Sequence, residues 1–245
     1  MDLHLIDKVA LVTGAGSQIG YGQCIAVTLA REGCDVVAAD IDFDGAKKTA
    51  AEIQDLGRQS MAIKVDVAIR SEVDSMIKAI LHKFGRIDIL VNNAGTSSKL
   101  KPFIEMTKSD WDLDINVNLY GQMNVAQAVL PGMLERKYGR IINMSGGQGI
   151  PTISTYGAAK AGIESFSLSL AREVGEMGIV VNGVAPGLAE TGLVVNAPRA
   201  FLDAYKKGSS LKRLCTPQDV APVVAFLASD VCSYMNGQII RVSAS

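Results

Sequence analysis

Short apolar runs alternate along the chain with longer segments whose apolar residues recur at helical spacing. The short runs predict seven buried strands, near 9–13, 36–39, 61–63, 87–91, 140–144, 179–181 and 238–242. Between them, one helix face is predicted by Val73, Met76, Ile77, Ile80, Leu81 and Phe84. A later helix face is predicted by Ile163, Phe166, Leu170 and Val174.

Regular alternation of strands and helices predicts parallel strands joined by helical crossovers. The expected fold class is therefore α/β, with a single Rossmann-type doubly wound sheet of about seven strands and helices on both faces. No repeat or linker divides residues 1–245, so we expect one domain. The least patterned stretch, about 187–214, predicts a substrate lid, because such stretches in compact domains are usually functional.

Composition narrows the classes of partner and the compartment. Of the 245 residues, 48% are hydrophobic and 20% charged, and the formal net charge of −1 gives no basic excess to attract nucleic acid. No apolar stretch reaches the length of about 18 residues that predicts a membrane span, and the N-terminal residues lack a signal-peptide core. The four cysteines are scattered without a disulfide or metal-binding spacing, which favours a reducing, cytoplasmic setting.

Histidine is nearly absent from the chain, which contains only His4 and His82. Two histidines argue against a Ser-His-Asp hydrolase and against a histidine-ligated zinc enzyme. We expect no resident metal and a different source of acid/base chemistry.

A glycine cluster, from Thr13 to Gly20, follows the first predicted strand and precedes a helical segment. Glycine lets the backbone turn sharply and approach a pyrophosphate, and the free N–H groups of the next helix favour the negative charge. The placement predicts a dinucleotide-binding loop. Its expected cofactor contacts are Gly14, Ser17, Gln18, Ile19 and Gly20.

Asp40 closes the second predicted strand, twenty residues after Gly20. A carboxylate there can accept hydrogen bonds from both hydroxyls of the adenosine ribose, and it repels a 2′-phosphate. No arginine or lysine in the glycine loop or directly after Asp40 neutralises that phosphate. The sequence therefore predicts NAD rather than NADP.

Tyr156 and Lys160 lie four residues apart, on one face of a predicted helix. A phenol ionises near pH 10, too high for a base at neutral pH. An ammonium about 4 Å away, at an effective dielectric constant of 20, is worth about 4 kcal/mol, or roughly three pKa units. The pair therefore predicts a tyrosine whose pKa approaches neutrality, where it transfers protons efficiently.

The chain resembles the short-chain dehydrogenase/reductase family over nearly its whole length. The motifs that carry the resemblance occur in family order: the glycine loop, Asp66-Val67, Asn92-Asn93-Ala94-Gly95, Val117-Asn118-Leu119-Tyr120-Gly121, Ser145, Tyr156-Gly-Ala-Ala-Lys160, Asn182, and Pro186-Gly187 with Thr191. Several independent motifs in one order are more specific than any one of them.

The resemblance implies roles for the matching residues. Tyr156 would be the acid/base, and Lys160 would lower its pKa and hold the nicotinamide ribose. Ser145 would bind the substrate oxygen, and Asn118 would hold a water that links Lys160 to solvent. Further cofactor contacts implied in this way are Asp66, Val67, Asn93, Ala94, Gly95, Pro186, Gly187 and Thr191.

Three positions depart from the family pattern. Gln18 replaces its middle glycine, which predicts a slightly more open loop or an added amide contact. Val180 stands where an arginine is common, which removes a structural ion-pair partner. The path to Tyr156 is a few residues short, so the usual serine position can align with Gly146; we choose Ser145, with Ser154 and Thr155 as alternatives.

The predicted function is an NAD-dependent oxidoreductase that moves a hydride between a nicotinamide ring and a secondary alcohol or ketone. One alternative is a 3-oxoacyl-carrier-protein or acyl-CoA-linked ketone reductase, and another is a dinucleotide sensor without catalysis. The substrate pocket is expected to draw on residues 96–100 and 146–153 and on the lid. A homotetramer is implied by the resemblance, because helices with small residues such as Gly157, Ala158, Ala161 and Gly162 pair across subunits in that family.

Overall fold

Seven parallel strands form one sheet in this computed structural model, which describes residues 2–98, 100–189, 191 and 198–244. The strands are β1 (Val9–Thr13), β2 (Asp35–Asp40), β3 (Ser60–Lys64), β4 (Ile89–Asn92), β5 (Gly139–Met144), β6 (Ile179–Pro186) and β7 (Ile239–Val242). Their order across the sheet is β3-β2-β1-β4-β5-β6-β7. The predicted fold class is confirmed, and a strand lies at each of the seven predicted places.

Helices cover both faces of this sheet. They are α1 (Tyr21–Arg31), α2 (Phe43–Asp55), α3 (Arg70–Phe84), α4 (Lys108–Ile115), α5 (Gly121–Arg136), α6 (Ser154–Val174), α7 (Arg199–Gly208) and α8 (Pro217–Ala228). One buried cluster joins the sheet to α1, α2 and α8, and the other joins it to α3, α5 and α6. Within the described ranges, no helix is both long and apolar enough to cross a bilayer.

Alternation along the strands builds these two clusters. In β1, Ala10 and Val12 pack in one cluster and Leu11 in the other, because successive strand side chains point to opposite faces. The predicted face of α3 is buried at its centre, from Val73 to Ile80, whereas Leu81 is exposed. Leu81 lies in the last turn, past the edge of the sheet-facing stripe.

The predicted lid contains more regular structure than its sequence pattern suggested. Residues 199–208 form the helix α7, in which Leu202 is buried and Arg199, Asp203 and Lys207 are exposed. A lone β-bridge joins Ala189 to Cys215 and closes the base of this region. Residues 192–197, including the apolar Val194 and Val195, lie outside the described residues.

The sheet places a crevice at its carboxyl edge. From β1 the chain builds outward to β2 and β3 on one side, and then crosses to β4 and its successors on the other. In open α/β sheets, ligands bind at such a reversal of strand order, beyond the carboxyl ends of the strands. The segments that follow β1, β2, β4 and β5 all begin at this edge of the sheet.

Candidate active site

One cleft of about 660 Å³ runs along the carboxyl edge of the sheet. This volume lies within the range of pockets that hold small molecules and cofactors. Fourteen of the predicted cofactor contacts line it: Gly14, Ser17, Gly20, Asp40, Asp66, Val67, Asn93, Ala94, Gly95, Tyr156, Lys160, Pro186, Gly187 and Thr191. Gln18 and Ile19 do not line it, and Ile19 points into solvent.

The glycine loop is held by β4. Asn93 Nδ2 donates to the carbonyl oxygens of Thr13 (2.9 Å) and Gly14 (3.0 Å), and the Thr13 hydroxyl oxygen accepts from the backbone N–H of Ala94 (3.0 Å). Gly14 has a φ of +67°, and a Cβ there would lie 2.7 Å from Ala94 Cα. Only glycine fits this close approach.

The side chain of Gln18 bonds to the glycine loop and to α2. Its amide nitrogen donates to the carbonyl oxygens of Gly16 (2.8 Å) and Gly45 (3.2 Å) and to the Thr49 hydroxyl oxygen (3.2 Å). Of the two outcomes expected for Gln18, the structure has the amide contact. That contact joins the loop to α2 rather than opening it.

Asp40 sits beside the glycine loop, as its position after β2 predicts. One carboxylate oxygen accepts from the Gly16 N–H at 2.6 Å and the other from the Asp42 N–H at 2.8 Å. A carboxylate oxygen has further lone pairs for ribose hydroxyls. The described residues that line the cleft include Asp40, Asp42 and Asp66, and Lys160 is their only cation.

Tyr156 and Lys160 share one face of α6, with Lys160 Nζ 5.6 Å from the centre of the Tyr156 ring. Lys160 is only 2% exposed, and its ammonium donates to the Met144 carbonyl oxygen at 3.0 Å. Burial lowers the pKa of Lys160 from 10.5 to about 8. The sequence correctly predicted that these two groups come together at the cleft.

The pKa of Tyr156 moves opposite to the expectation from the sequence. Burial, followed by the negative charge of Asp114, raises the pKa of Tyr156 from 10.0 to about 12. Desolvation penalises the phenolate form, and a nearby negative charge adds to that penalty. The tyrosine is therefore a protonated group, suited to giving a proton away.

Asn118 lies in a wide helical turn, Asn116–Tyr120, between α4 and α5. Turns of this π type occur often at functional sites. The Asn118 amide donates to the carbonyl oxygens of Thr96 (2.7 Å) and Asp114 (2.8 Å). Asn118 is fully buried behind the cleft, and a Cβ on Gly95 would lie 2.8 Å from its Oδ1 and 3.5 Å from Lys160 Nζ. The asparagine and the lysine thus converge behind Gly95.

Ser145 follows β5 and lines the cleft, but its hydroxyl is engaged by other groups. It lies 2.9 Å from Glu164 Oε1 and 3.2 Å from the Lys160 carbonyl oxygen, and it accepts from Gln148 Nε2 at 2.9 Å. These contacts tie it to the second and third turns of α6. To donate a hydrogen bond to a substrate oxygen, the Ser145 hydroxyl must first break its hydrogen bond to Glu164.

The two alternative hydroxyls face away from the cleft. Ser154 approaches the sulfur of Met106, and Thr155 donates to the carboxylate of Asp114. Gly146 has a φ of +101°, and a Cβ there would lie 3.1 Å from the Pro186 carbonyl oxygen. A serine at Gly146 would therefore be strained in this backbone.

Two residues near the site, Tyr21 and Asp114, were not predicted from the sequence. Tyr21, the first residue of α1, lines the cleft and donates to the Gly187 carbonyl oxygen at 3.0 Å. Asp114 is fully buried one turn before Asn118. An acidic residue at the buried face of a short helix was the available signal for Asp114.

The far half of the cleft is largely apolar and matches the predicted substrate region. Its lining residues are Thr96, Ser97, Leu100, Leu113, Val117, Gly146, Gly147, Ile150, Ile153, Leu188, Phe201 and Tyr205. Among the described residues of the predicted lid, Arg199, Lys212 and Arg213 do not line this cleft. Arg213, for example, binds Asp219 through both of its terminal nitrogens.

A family model described as enoyl-(acyl carrier protein) reductase matches residues 14–244. The chain belongs to the short-chain dehydrogenase/reductase family. It is 36% identical to a 3-oxoacyl-[acyl-carrier-protein] reductase of Thermotoga maritima, covering 98% of both chains. It is 37% identical to a (2S)-[(R)-hydroxy(phenyl)methyl]succinyl-CoA dehydrogenase subunit of Thauera aromatica, covering 96% of this chain and 95% of that one.

Solved structures agree with this assignment. The crystal structure of levodione reductase superposes with a TM-score of 0.93 at 31% identity and covers 98% of this chain and 97% of that one. Membership of the short-chain dehydrogenase/reductase family makes this protein an oxidoreductase. The family resemblance seen in the sequence motifs is thereby confirmed.

Proposed function

We propose that this protein is an NAD-dependent oxidoreductase that interconverts a secondary alcohol and a ketone, with Tyr156 as the acid/base. The observation that carries the proposal is the convergence of Tyr156, Lys160 and the Gly14 loop on one cleft. A dinucleotide bound along that cleft would be held by Asp40 and by the pair of Tyr156 and Lys160. Turnover requires both the dinucleotide-binding residues and the Tyr156–Lys160 pair.

The residues of the cleft suit a nicotinamide dinucleotide. The Gly14 loop brings its backbone to the cleft at the start of α1, where free N–H groups favour phosphate. Asp40 and Asp66 line the cleft and are proposed to bind the adenosine. Thr191 is proposed to fix the carboxamide. When bound, the cofactor supplies or accepts the hydride at its nicotinamide ring.

Tyr156 and Lys160 handle the proton. In oxidation the phenolate takes the hydroxyl proton of the alcohol, and in reduction the phenol returns it to the ketone oxygen. Lys160, held by the Met144 carbonyl, is positioned to bind the ribose and to stabilise the phenolate. Asn118 is proposed to hold the water that links Lys160 to solvent.

A substrate panel tests the proposal directly. Ketones and secondary alcohols, both free and as CoA or carrier-protein thioesters, would be assayed in both directions by the absorbance of the reduced nicotinamide. We expect turnover with NAD or NADH and at least one class of carbonyl compound. Binding of NADH without turnover across the panel would favour a redox sensor instead.

The relatives' names support a second candidate within the same chemistry. Proteins 36% and 37% identical over nearly the full length are named for carrier-protein and CoA-linked substrates. The second candidate is therefore an acyl-thioester ketone reductase. In the panel it predicts that the thioesters exceed the free ketones in kcat/KM.

The proposed preference for NAD gives a prediction at Asp40. Asp40→Ser removes the ribose acceptor and the repulsion of a 2′-phosphate, so the ratio of kcat/KM for NADPH over NADH should rise about tenfold to a hundredfold, as expected for losing a hydrogen bond to a charged group. The control is Asp44→Ser, because Asp44 is exposed on α2 and pairs only with Lys47 in the described chain. An unchanged ratio in Asp40→Ser would overturn the assigned role.

Ser145 is proposed to bind the substrate oxygen, since it alone of the three candidate hydroxyls lines the cleft. Removing one donor to a developing oxyanion typically costs about 10²-fold or more in kcat. We therefore expect Ser145→Ala to lose about that much, with little change in NADH affinity. Ser154→Ala, whose hydroxyl meets Met106, should stay near wild type. A fully active Ser145→Ala would assign the role to another donor.

We also propose a cytoplasmic homotetramer that acts on small molecules and binds neither nucleic acid nor membrane. On α6, Ala158 and Ala161 remain exposed, while Gly157 and Gly162 pack against the chain itself. Small exposed side chains permit close helix packing across subunits. Light scattering after size-exclusion chromatography should give about four times the mass of the chain.

A further inference from the structure

Asp114 is a buried carboxylate beside the proposed acid/base. It is 0% exposed, on the short helix α4 that packs against α6. Its oxygens accept from the Ser98 backbone N–H at 2.8 Å, from the Ser98 hydroxyl at 3.1 Å and from the Thr155 hydroxyl. Three donors therefore satisfy this buried carboxyl group.

The charge of Asp114 is not neutralised by an ion pair. Among the described residues, no lysine, arginine or histidine lies within ion-pair distance of it. The groups that face Tyr156 are Lys160 on its own helix, Asp114 on α4 and Tyr21 at the start of α1. Tyr21 is neutral, because burial also raises its pKa. Asp114 is therefore the anion that acts on Tyr156.

We propose that Asp114 is a positioning residue that keeps Tyr156 protonated and thereby suits the site to ketone reduction. Thr155 links the two, since it precedes Tyr156 and donates to Asp114. The inference rests on the proposed role of Tyr156 as acid/base. Nothing in that role requires a buried anion, and a phenolate base would be better served without one.

The proton balance shows why the protonated state matters. In reduction, the O–H bond of Tyr156 breaks, its proton forms the O–H bond of the product alcohol, and the carbonyl carbon takes the hydride that the reduced cofactor provides. This step needs a phenol. Oxidation needs a phenolate, whose fraction falls tenfold for each unit that the pKa of Tyr156 rises above the pH.

The pKa of Tyr156 agrees with this geometry. Burial raises it first, and Asp114 raises it further, to about 12. Removing the charge of Asp114 while keeping its size should leave the contribution of burial and lower the pKa. Both the acidic limb of the pH profile for oxidation and the alkaline limb of the profile for reduction report this pKa. Both limbs should therefore shift to lower pH by the same amount.

The test compares Asp114→Asn with wild type in kcat/KM for both directions across pH. In Asp114→Asn we expect the acidic limb of oxidation to move down by about one pH unit, which is about a tenfold gain in the phenolate fraction at neutral pH. The alkaline limb of reduction should move down equally. The control is Asp112→Asn, an exposed residue of the same helix that pairs with Lys108 and should leave both limbs in place.

Should Asp114→Asn fail to fold, the double variant Asp114→Leu with Thr155→Val removes the charge together with its hydroxyl donor and predicts the same shift. Limbs that coincide with wild type in a folded variant would overturn the role of Asp114. Tyr156→Phe separates this from the proposed function. If that variant loses turnover while the limbs of Asp114→Asn stay in place, only the role of Asp114 fails.

Discussion

Tyr156→Phe is expected to lower kcat about a thousandfold in both directions, while NADH binding stays close to wild type. General acid/base catalysis contributes about 10²- to 10⁴-fold, and the loss of one hydroxyl leaves the ring and the cleft in place. NADH affinity would be followed by fluorescence titration and turnover by absorbance. The combination of intact binding and lost turnover identifies a group that acts on the proton.

Two other tyrosines sharpen this experiment. Tyr138→Phe is the matched control, since its hydroxyl donates to Asp230 away from the cleft, and its kcat should stay near wild type. Tyr21→Phe tests a rival, because Tyr21 lines the same cleft. If Tyr156→Phe kept its activity and Tyr21→Phe lost it, the proton donor would be Tyr21.

Lys160→Met is expected to cost at least a hundredfold in kcat and yet to make the protein more stable at neutral pH. The ammonium is buried, and among the described residues its hydrogen-bond partner is a backbone carbonyl rather than a carboxylate, so burial opposes its charge. A shift in pKa from 10.5 to about 8 corresponds to about 3 kcal/mol. Methionine fills the same space without the charge.

The stability effect has a defined pH window. The folded pKa of Lys160 lies below the unfolded value, so the unfolded chain binds the proton more tightly. The penalty is fully present below about pH 8 and fades toward pH 10.5. From about pH 7 to 9.5, wild type should gain about 2 kcal/mol in unfolding free energy relative to Lys160→Met. Urea unfolding of both proteins at the two pH values measures this difference in free energy of unfolding. A difference between wild type and Lys160→Met that does not change with pH would contradict the buried charge.

The strands were predictable because each is a buried apolar run with its own place in a parallel sheet. The end of β6 was not, since the sequence beyond Val181 turns polar with Asn182 and Gly183. Both residues still pair with β5, and Gly183 also pairs with β7. The buried Asn182 side chain is satisfied by hydrogen bonds to Met235 and Gln238. Helix α7 was missed because only Leu202 is buried among charged neighbours.

The site was predictable where spacing alone decides geometry. Helical spacing brings Tyr156 to Lys160, and the end of β2 brings Asp40 to the glycine loop. The protonation of Tyr156 was not predictable, since it depends on burial and on Asp114, which is 42 residues away in the chain and reaches the site only through tertiary packing. The engagement of Ser145 by Glu164 is likewise a tertiary contact.

The side chain of Gln18 changes the thermodynamics expected of cofactor binding. A flexible glycine-rich loop loses conformational entropy when a ligand fixes it, whereas this loop is already fastened to α2 by the Gln18 amide. The loop then loses less conformational entropy when the cofactor binds. Gln18 therefore favours binding by preorganising the loop rather than by adding a contact to the cofactor. Calorimetry on Gln18→Gly should register this as a more unfavourable entropy of NADH binding.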